Sequence, residues 1–164
     1  MSLQTISQKN IIFTDKNDIK YDSYEKGNIN IVLDLPILKV PFGLEENYGK
    51  FEIKFELDDK CKYVKNIIKK VEEELSEQRN VSESELRSNI REKEGYKDLL
   101  IVRVPFYRNR FIPKIKSNND NLYLPTFYDL YKNMKASATI QLKKCWIYEN
   151  KYGITVELKS LTIF

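Results

Sequence analysis

Period-two alternation dominates the chain. In "KFEIKFELDD", Phe51, Ile53, Phe55 and Leu57 fall on one face and Glu52, Lys54 and Glu56 on the other, the pattern of a half-buried antiparallel strand. Ile29, Ile31, Leu33 and Leu35 repeat it in "GNINIVLDLP", which Pro36 ends. "VPFGLEENYGK" supplies the turn residues between the two. Further strands are predicted at "LLIVRVPF" and "RFIPKIK", followed by the polar turn "SNNDN" and the bend "LYLPTFYDLYKNMK". Two long alternating runs finish the chain, "ASATIQLKKCWIYE" and "GITVELKSLTIF". Asn150 to Gly153 is the expected hairpin loop between them, because Asn and Gly accept positive φ without strain. Strict alternation in the first run places Lys144, Trp146 and Tyr148 with Ile140 and Leu142, and Lys143 with Cys145 and Ile147. Which of these faces points inward is left open.

One segment has the helical period. In "DDKCKYVKNIIKKVEEELSEQ", Cys61, Val64, Ile68, Val71 and Leu75 form a single stripe, with Asp58 and Asp59 placed to favour the N-terminus. The consecutive Glu72, Glu73 and Glu74 read as a solvated face. A weaker helix is predicted after Ser82, where Glu85 completes a capping-box spacing. With only Leu86 and Ile90 as apolar positions, the stretch 76–97 reads equally as a solvated excursion. The expected fold is mainly β, with about seven strands and one amphipathic helix. Length favours a single domain over 1–164, and 60–97 is a candidate helical or mobile insertion.

Composition narrows the chemistry. The sequence has no histidine and only two cysteines, Cys61 and Cys145, far apart. The usual general base, the common metal ligand and any disulfide framework are therefore missing. Neither a glycine-rich nucleotide loop nor a convergent acidic pair is present, so no enzyme activity, metal or cofactor is expected. No apolar run approaches the roughly 18 residues that cross a bilayer, and "MSLQTISQKNIIF" lacks the build of a signal peptide. A soluble, intracellular protein without membrane contact is expected.

Charge is distributed unevenly. Residues 97–164 hold 12 Lys and Arg against 5 Asp and Glu, a net of +7, whereas residues 1–96 hold 16 against 19, a net of −3. Such asymmetry favours a polyanionic partner. The surplus is densest in "IVRVPFYRNRFIPKIK", where Arg103, Arg108, Arg110, Lys114 and Lys116 interleave with Phe106, Tyr107 and Phe111. Single-stranded nucleic acid requires this pairing of residue types, since exposed bases stack on rings while phosphates seek Lys and Arg along the same groove. As a strand, the segment places Ile101, Arg103, Pro105 and Tyr107 on one face, opposite Leu100, Val102, Val104 and Phe106 in the core. Similar material recurs at Tyr123, Phe127, Tyr128 and Tyr131 with Lys132 and Lys135, and at Lys143, Lys144, Trp146 and Tyr148.

The C-terminal segment "LPTFYDLYKNMKASATIQLKKCWIYENKYGITVELKSLTIF" resembles OB-fold single-stranded DNA-binding proteins of phages and large nucleocytoplasmic DNA viruses. The resemblance rests on Met134 to Ala138 as a small-residue step, Trp146 as the strand aromatic, Gly153 as the turn and Ile154 to Phe164 as the closing strand. It implies an OB-like antiparallel barrel with added strands, and sequence-nonspecific binding of single-stranded DNA in replication, recombination or repair. The expected binding residues are Arg103, Tyr107, Arg108, Arg110, Lys114, Lys116, Lys143, Lys144 and Trp146. RNA, a second copy of the chain and replication proteins are further candidate partners. The phage members end in an acidic tail; no acid follows Glu157 in this sequence, and tail-mediated recruitment is not among the expectations. The alternative reading is a viral structural or assembly β-protein whose basic face meets an acidic protein partner.

Overall fold

The computed structural model describes residues 5–118 and 125–164; Tyr123 and the end of the "SNNDN" turn lie outside the described residues. Strands β1 (Ile11–Phe13), β2 (Ile19–Ser23) and β3 (Gly27–Ile29) form a small antiparallel sheet. The main sheet opens with β4 (Ile31–Val40), β5 (Leu44–Asn47) and β6 (Lys50–Glu56). After it come helix α1 (Lys62–Gln78), the two-residue strands β7 (Glu85–Leu86) and β8 (Ile90–Arg91), and β9 (Leu99–Val104). A small hairpin, β10 (Phe106–Tyr107) and β11 (Arg110–Phe111), precedes β12 (Lys114–Ser117), and the long pair β13 (Met134–Tyr148) and β14 (Lys151–Ile163) closes the chain.

The main sheet runs in the order β4-β13-β14-β9-β6-β5. Its neighbours are antiparallel except for β9, which lies parallel to β14. β4 at one end and β6, next to the other, meet without a hydrogen-bonded ladder among the described residues. Taken as five barrel strands, β4, β6, β9, β13 and β14 pair first with fourth, fourth with fifth, fifth with third and third with second. The second then touches the first, so the chain is mainly β and OB-like, a partly open Greek-key barrel. Alternation is observed as expected in β4, β6 and β9, except that Lys54 of the polar face is also buried. Ile31, Leu33, Ile53, Phe55, Leu100, Val102, Ile140, Leu142, Val156 and Leu158 are buried, each worth roughly 1.5–3 kcal/mol on removal from water.

Helix α1 lies between the second and third barrel strands and buries Val64, Ile68, Val71 and Leu75 of the predicted stripe together with Ile67. Asp58 accepts a hydrogen bond from the Lys60 amide at 2.9 Å and so caps the short 3-10 turn that leads into it. Along the helix, Lys70 donates to the Ile6 carbonyl at 3.1 Å and Gln78 to that of Ile11 at 2.8 Å, tying the N-terminal segment down. No helix among the described residues is long and apolar enough to cross a membrane. Cys61 and Cys145 are both free and buried, and burial pushes the Cys61 thiol up to about 11.

The structure corrects five local expectations. Pro36 does not end its strand, since β4 continues to Val40 and a register shift between Leu35 and Leu38 accommodates the proline. No second helix follows Ser82. Instead, β7 pairs with β14 and β8 with β9, because backbone donors beside a sheet edge gain more from the ladder than from a helix with so thin an apolar stripe. Glu72 is not solvated but only 2% exposed. It accepts bonds from Ser88 Oγ at 2.9 Å and the Asn89 amide at 3.2 Å, and so anchors this segment to α1. The last hairpin turns at Glu149 and Asn150, since Tyr148 pairs with Lys151, and Glu149 takes the positive φ of 54°. Gly153 therefore lies within β14. Finally, the register shifts between Leu142 and Lys144. This bulge moves Cys145 to the inner face of Ile140 and Leu142 and turns Lys144 and Trp146 outward.

Candidate nucleic-acid interface

The segment "IVRVPFYRNRFIPKIK" is one barrel edge interrupted by a hairpin. Its first part, β9, sits beside β14 with Arg103 next to Glu157. Its last part, β12, resumes along the same strand with Lys114 beside Ser160 and Lys116 beside Thr162. The face expected for β9 is the one observed: Leu100, Val102 and Val104 are buried and Arg103 is exposed.

Between the two parts the β10–β11 hairpin leaves the sheet. Phe106 and Phe111 are cross-strand partners with ring centroids 4.8 Å apart, and each lies within 5 Å of the Phe51 ring. Phe111 also meets Phe127 at 4.9 Å and Tyr128 at 5.2 Å. These rings hold the hairpin base, so Phe106 and Phe111 are structural anchors. The tip is the two-residue loop Arg108–Asn109, with φ of 51° and 61°, the left-handed pair that a tight hairpin demands. Arg108 accepts this unfavourable backbone, and its guanidinium lies over the Tyr107 ring, 5.3 Å from the centroid. Tyr107 itself is 63% exposed.

Arg103, Tyr107, Lys143 and Lys144 converge on a groove of about 290 Å³, with Pro105, Phe106, Thr155 and Glu157 completing its walls. Arg108 sits on the Tyr107 ring and Arg110 is paired with Tyr107 across the hairpin, so both stand at its rim. Lys114 and Lys116 continue the outer face of the barrel beyond Glu157. In the other direction lies Trp146, opposite Gly153 and one outward position from Lys144. A Cβ on Gly153 would lie 2.8 Å from Trp146 Cζ2 and 2.8 Å from the Arg87 carbonyl oxygen. Glycine is thus required there by the close approach of the indole. From Gly153 to Thr162 the outer face of β14 makes a track of about 30 Å, bordered in turn by Trp146, Lys144, Arg103, Lys114 and Lys116.

Electrostatically the predicted cations divide into two groups. Lys144 is engaged by Asp18 at 3.3 Å and donates to the Lys16 carbonyl at 3.4 Å. Arg103, Arg108, Arg110, Lys114, Lys116 and Lys143 form no ion pair among the described residues. Arg103 stays free although Glu52 flanks it on β6, because Glu52 is drawn to Lys54 at 3.3 Å. Of the other aromatics singled out by the sequence, Tyr128 and Tyr131 are exposed and Phe127 is buried. Glu157 was missed; outward alternation along β14 is the signal that places it in the groove. No group of His, Cys, Asp and Glu among the described residues could hold a metal ion.

Fold and site together define a mainly β, OB-like chain whose outer face combines free cations with exposed rings. Two solved structures are similar to it. One is the single-stranded DNA-binding protein from bacteriophage Enc34 with a C-terminal truncation, at 16% identity and a TM-score of 0.46, covering 98% of this chain and 91% of that one. The other is the Enc34 protein in complex with single-stranded DNA, also at 16% identity and a TM-score of 0.46, covering 99% of this chain and 94% of that one. No protein-family model matches the sequence, and no curated protein matches it.

Proposed function

We propose that this chain binds single-stranded DNA with little sequence preference and keeps it unpaired during replication, recombination or repair. The observation that carries the reading is the groove in which Arg103, Tyr107, Lys143 and Lys144 meet, surrounded by cations without carboxylate partners. Arg103, Arg108, Arg110, Lys114, Lys116 and Lys143 neutralise phosphates in this reading. Tyr107 stacks on a base, worth roughly 1–3 kcal/mol, and Trp146 reports on occupancy. A single strand fits better than a duplex, because only unpaired bases offer the ring a face.

The test is a poly(dT) titration followed by Trp146 fluorescence at several salt concentrations. Six free cations at about 0.7 per phosphate give a log–log slope of about −4, a loss of about 300-fold in affinity between 50 and 200 mM salt. A flat salt response would overturn the proposal. Self-association with unchanged fluorescence would instead favour the assembly-protein reading, and a parallel poly(U) titration separates DNA from RNA.

A further inference from the structure

Glu157 stands where a phosphate-binding groove has least use for it. It projects half-buried from the outer face of β14, beside Arg103 on β9 and opposite Gln141 on β13. Arg103, Lys143 and Lys144 line the same groove, yet no ion pair or hydrogen bond engages the Glu157 carboxylate among the described residues. Its oxygens are open to water in the free chain, but a strand laid in the groove displaces that water, and an acceptor then left without a donor is costly, the more so beside a phosphate of like charge. The part of a single strand that can satisfy it is a base edge.

Base edges differ in what they offer a carboxylate. Guanine presents N1–H and N2–H side by side, matching the two carboxylate oxygens with two parallel hydrogen bonds. Cytosine and adenine present one amino group beside a ring nitrogen acceptor. Thymine presents a single N3–H between two carbonyl oxygens that repel the carboxylate. Bases of a single strand can be splayed out and read on this edge, and Tyr107 on the same groove supplies a ring against which such a base stacks.

We infer that Glu157 reads the Watson–Crick edge of one guanine, which makes a single position of an otherwise sequence-tolerant groove base-selective. The inference rests on the single-strand reading above and is tested separately from it. Three short oligonucleotides are compared: all-dT, dT with one dG, and dT with one deoxyinosine, which lacks the N2 amino group. The wild-type chain is expected to bind the dG oligonucleotide about tenfold more tightly than all-dT, the discrimination of one good bidentate contact, with deoxyinosine between them. Glu157→Gln and Glu157→Ala are expected to abolish that difference, while Glu157→Ala raises all-dT affinity by removing a negative charge. Equal wild-type affinities for dG and dT, or a Glu157→Ala gain identical for all three, would overturn the inference and leave single-strand binding standing. Absence of binding to any of the three would overturn both.

Discussion

Replacing Glu72 by glutamine isolates the energetics of the acid that α1 buries. Its carboxyl is pushed up from 4.5 to about 7, chiefly by burial, with the Ser88 and Asn89 hydrogen bonds and Lys69 pulling the other way and Glu92 adding to the rise. The folded chain therefore holds this proton more tightly than the unfolded chain. The associated stability is present in full below about pH 4.5 and is lost as pH rises to about 7. At 1.36 kcal/mol per pH unit the loss amounts to about 3 kcal/mol. Glutamine does not ionise and keeps one carbonyl acceptor, at a cost of about 1 kcal/mol for the weakened second bond. Glu72→Gln is thus expected to be slightly less stable than wild type at pH 4.5 and about 2 kcal/mol more stable at pH 8. Urea unfolding of both proteins across this range, compared as a difference curve, cancels the contributions of other groups such as Glu92. Hydrogen exchange at the Asn89 amide reports whether the segment on α1 loosens first. Parallel stability curves for the two proteins would refute the reasoning.

Four further outcomes separate anchors from contacts. Phe106→Ala is expected to cost about 3 kcal/mol in chemical denaturation by opening the ring cluster. Tyr107→Ala is expected to leave stability within about 0.5 kcal/mol and lower single-strand affinity by about tenfold. Arg108→Gly is expected to move the two properties in opposite directions. Relieving the positive φ raises thermal stability by up to about 1 kcal/mol, while losing one cation lowers poly(dT) affinity and flattens the salt slope by about 0.7. Gly153→Ala is expected to destabilise the chain by about 1–3 kcal/mol and shift Trp146 emission without DNA, since the added methyl meets both the indole and a backbone carbonyl.

Placing residues from the sequence worked where the pattern is local. Among the interleaved rings and cations of 101–116, alternation put Arg103 outward opposite Leu100, Val102 and Val104, as observed. It failed where one residue changes parity. The bulge after Leu142 decides whether Lys144 and Trp146 face solvent or core, and strict alternation groups them with the wrong neighbours. Gly153 was assigned to the turn for its conformational freedom, whereas the constraint is steric and comes from a side chain seven residues earlier. Glu72, one of three consecutive glutamates, was unremarkable until a distant pair of donors, Ser88 and Asn89, was brought over it.

By itself, then, the amino-acid sequence determined helix α1, the longer strands and, β13 excepted, their inner faces. Periods of 2 and 3.6 are properties of the backbone, and an apolar stripe at either period has to be buried. It also determined which chemistry was absent, since a chain without histidine lacks that chemistry whatever its fold. Only the tertiary structure decided which strands are neighbours, and pairing between β14 and the distant β9 and β12 turns scattered Arg103, Lys114, Lys116 and Lys144 into one bordered track. Long-range pairing depends on the joint burial of many residues and on bulges that reset the register, and no local window of sequence contains either.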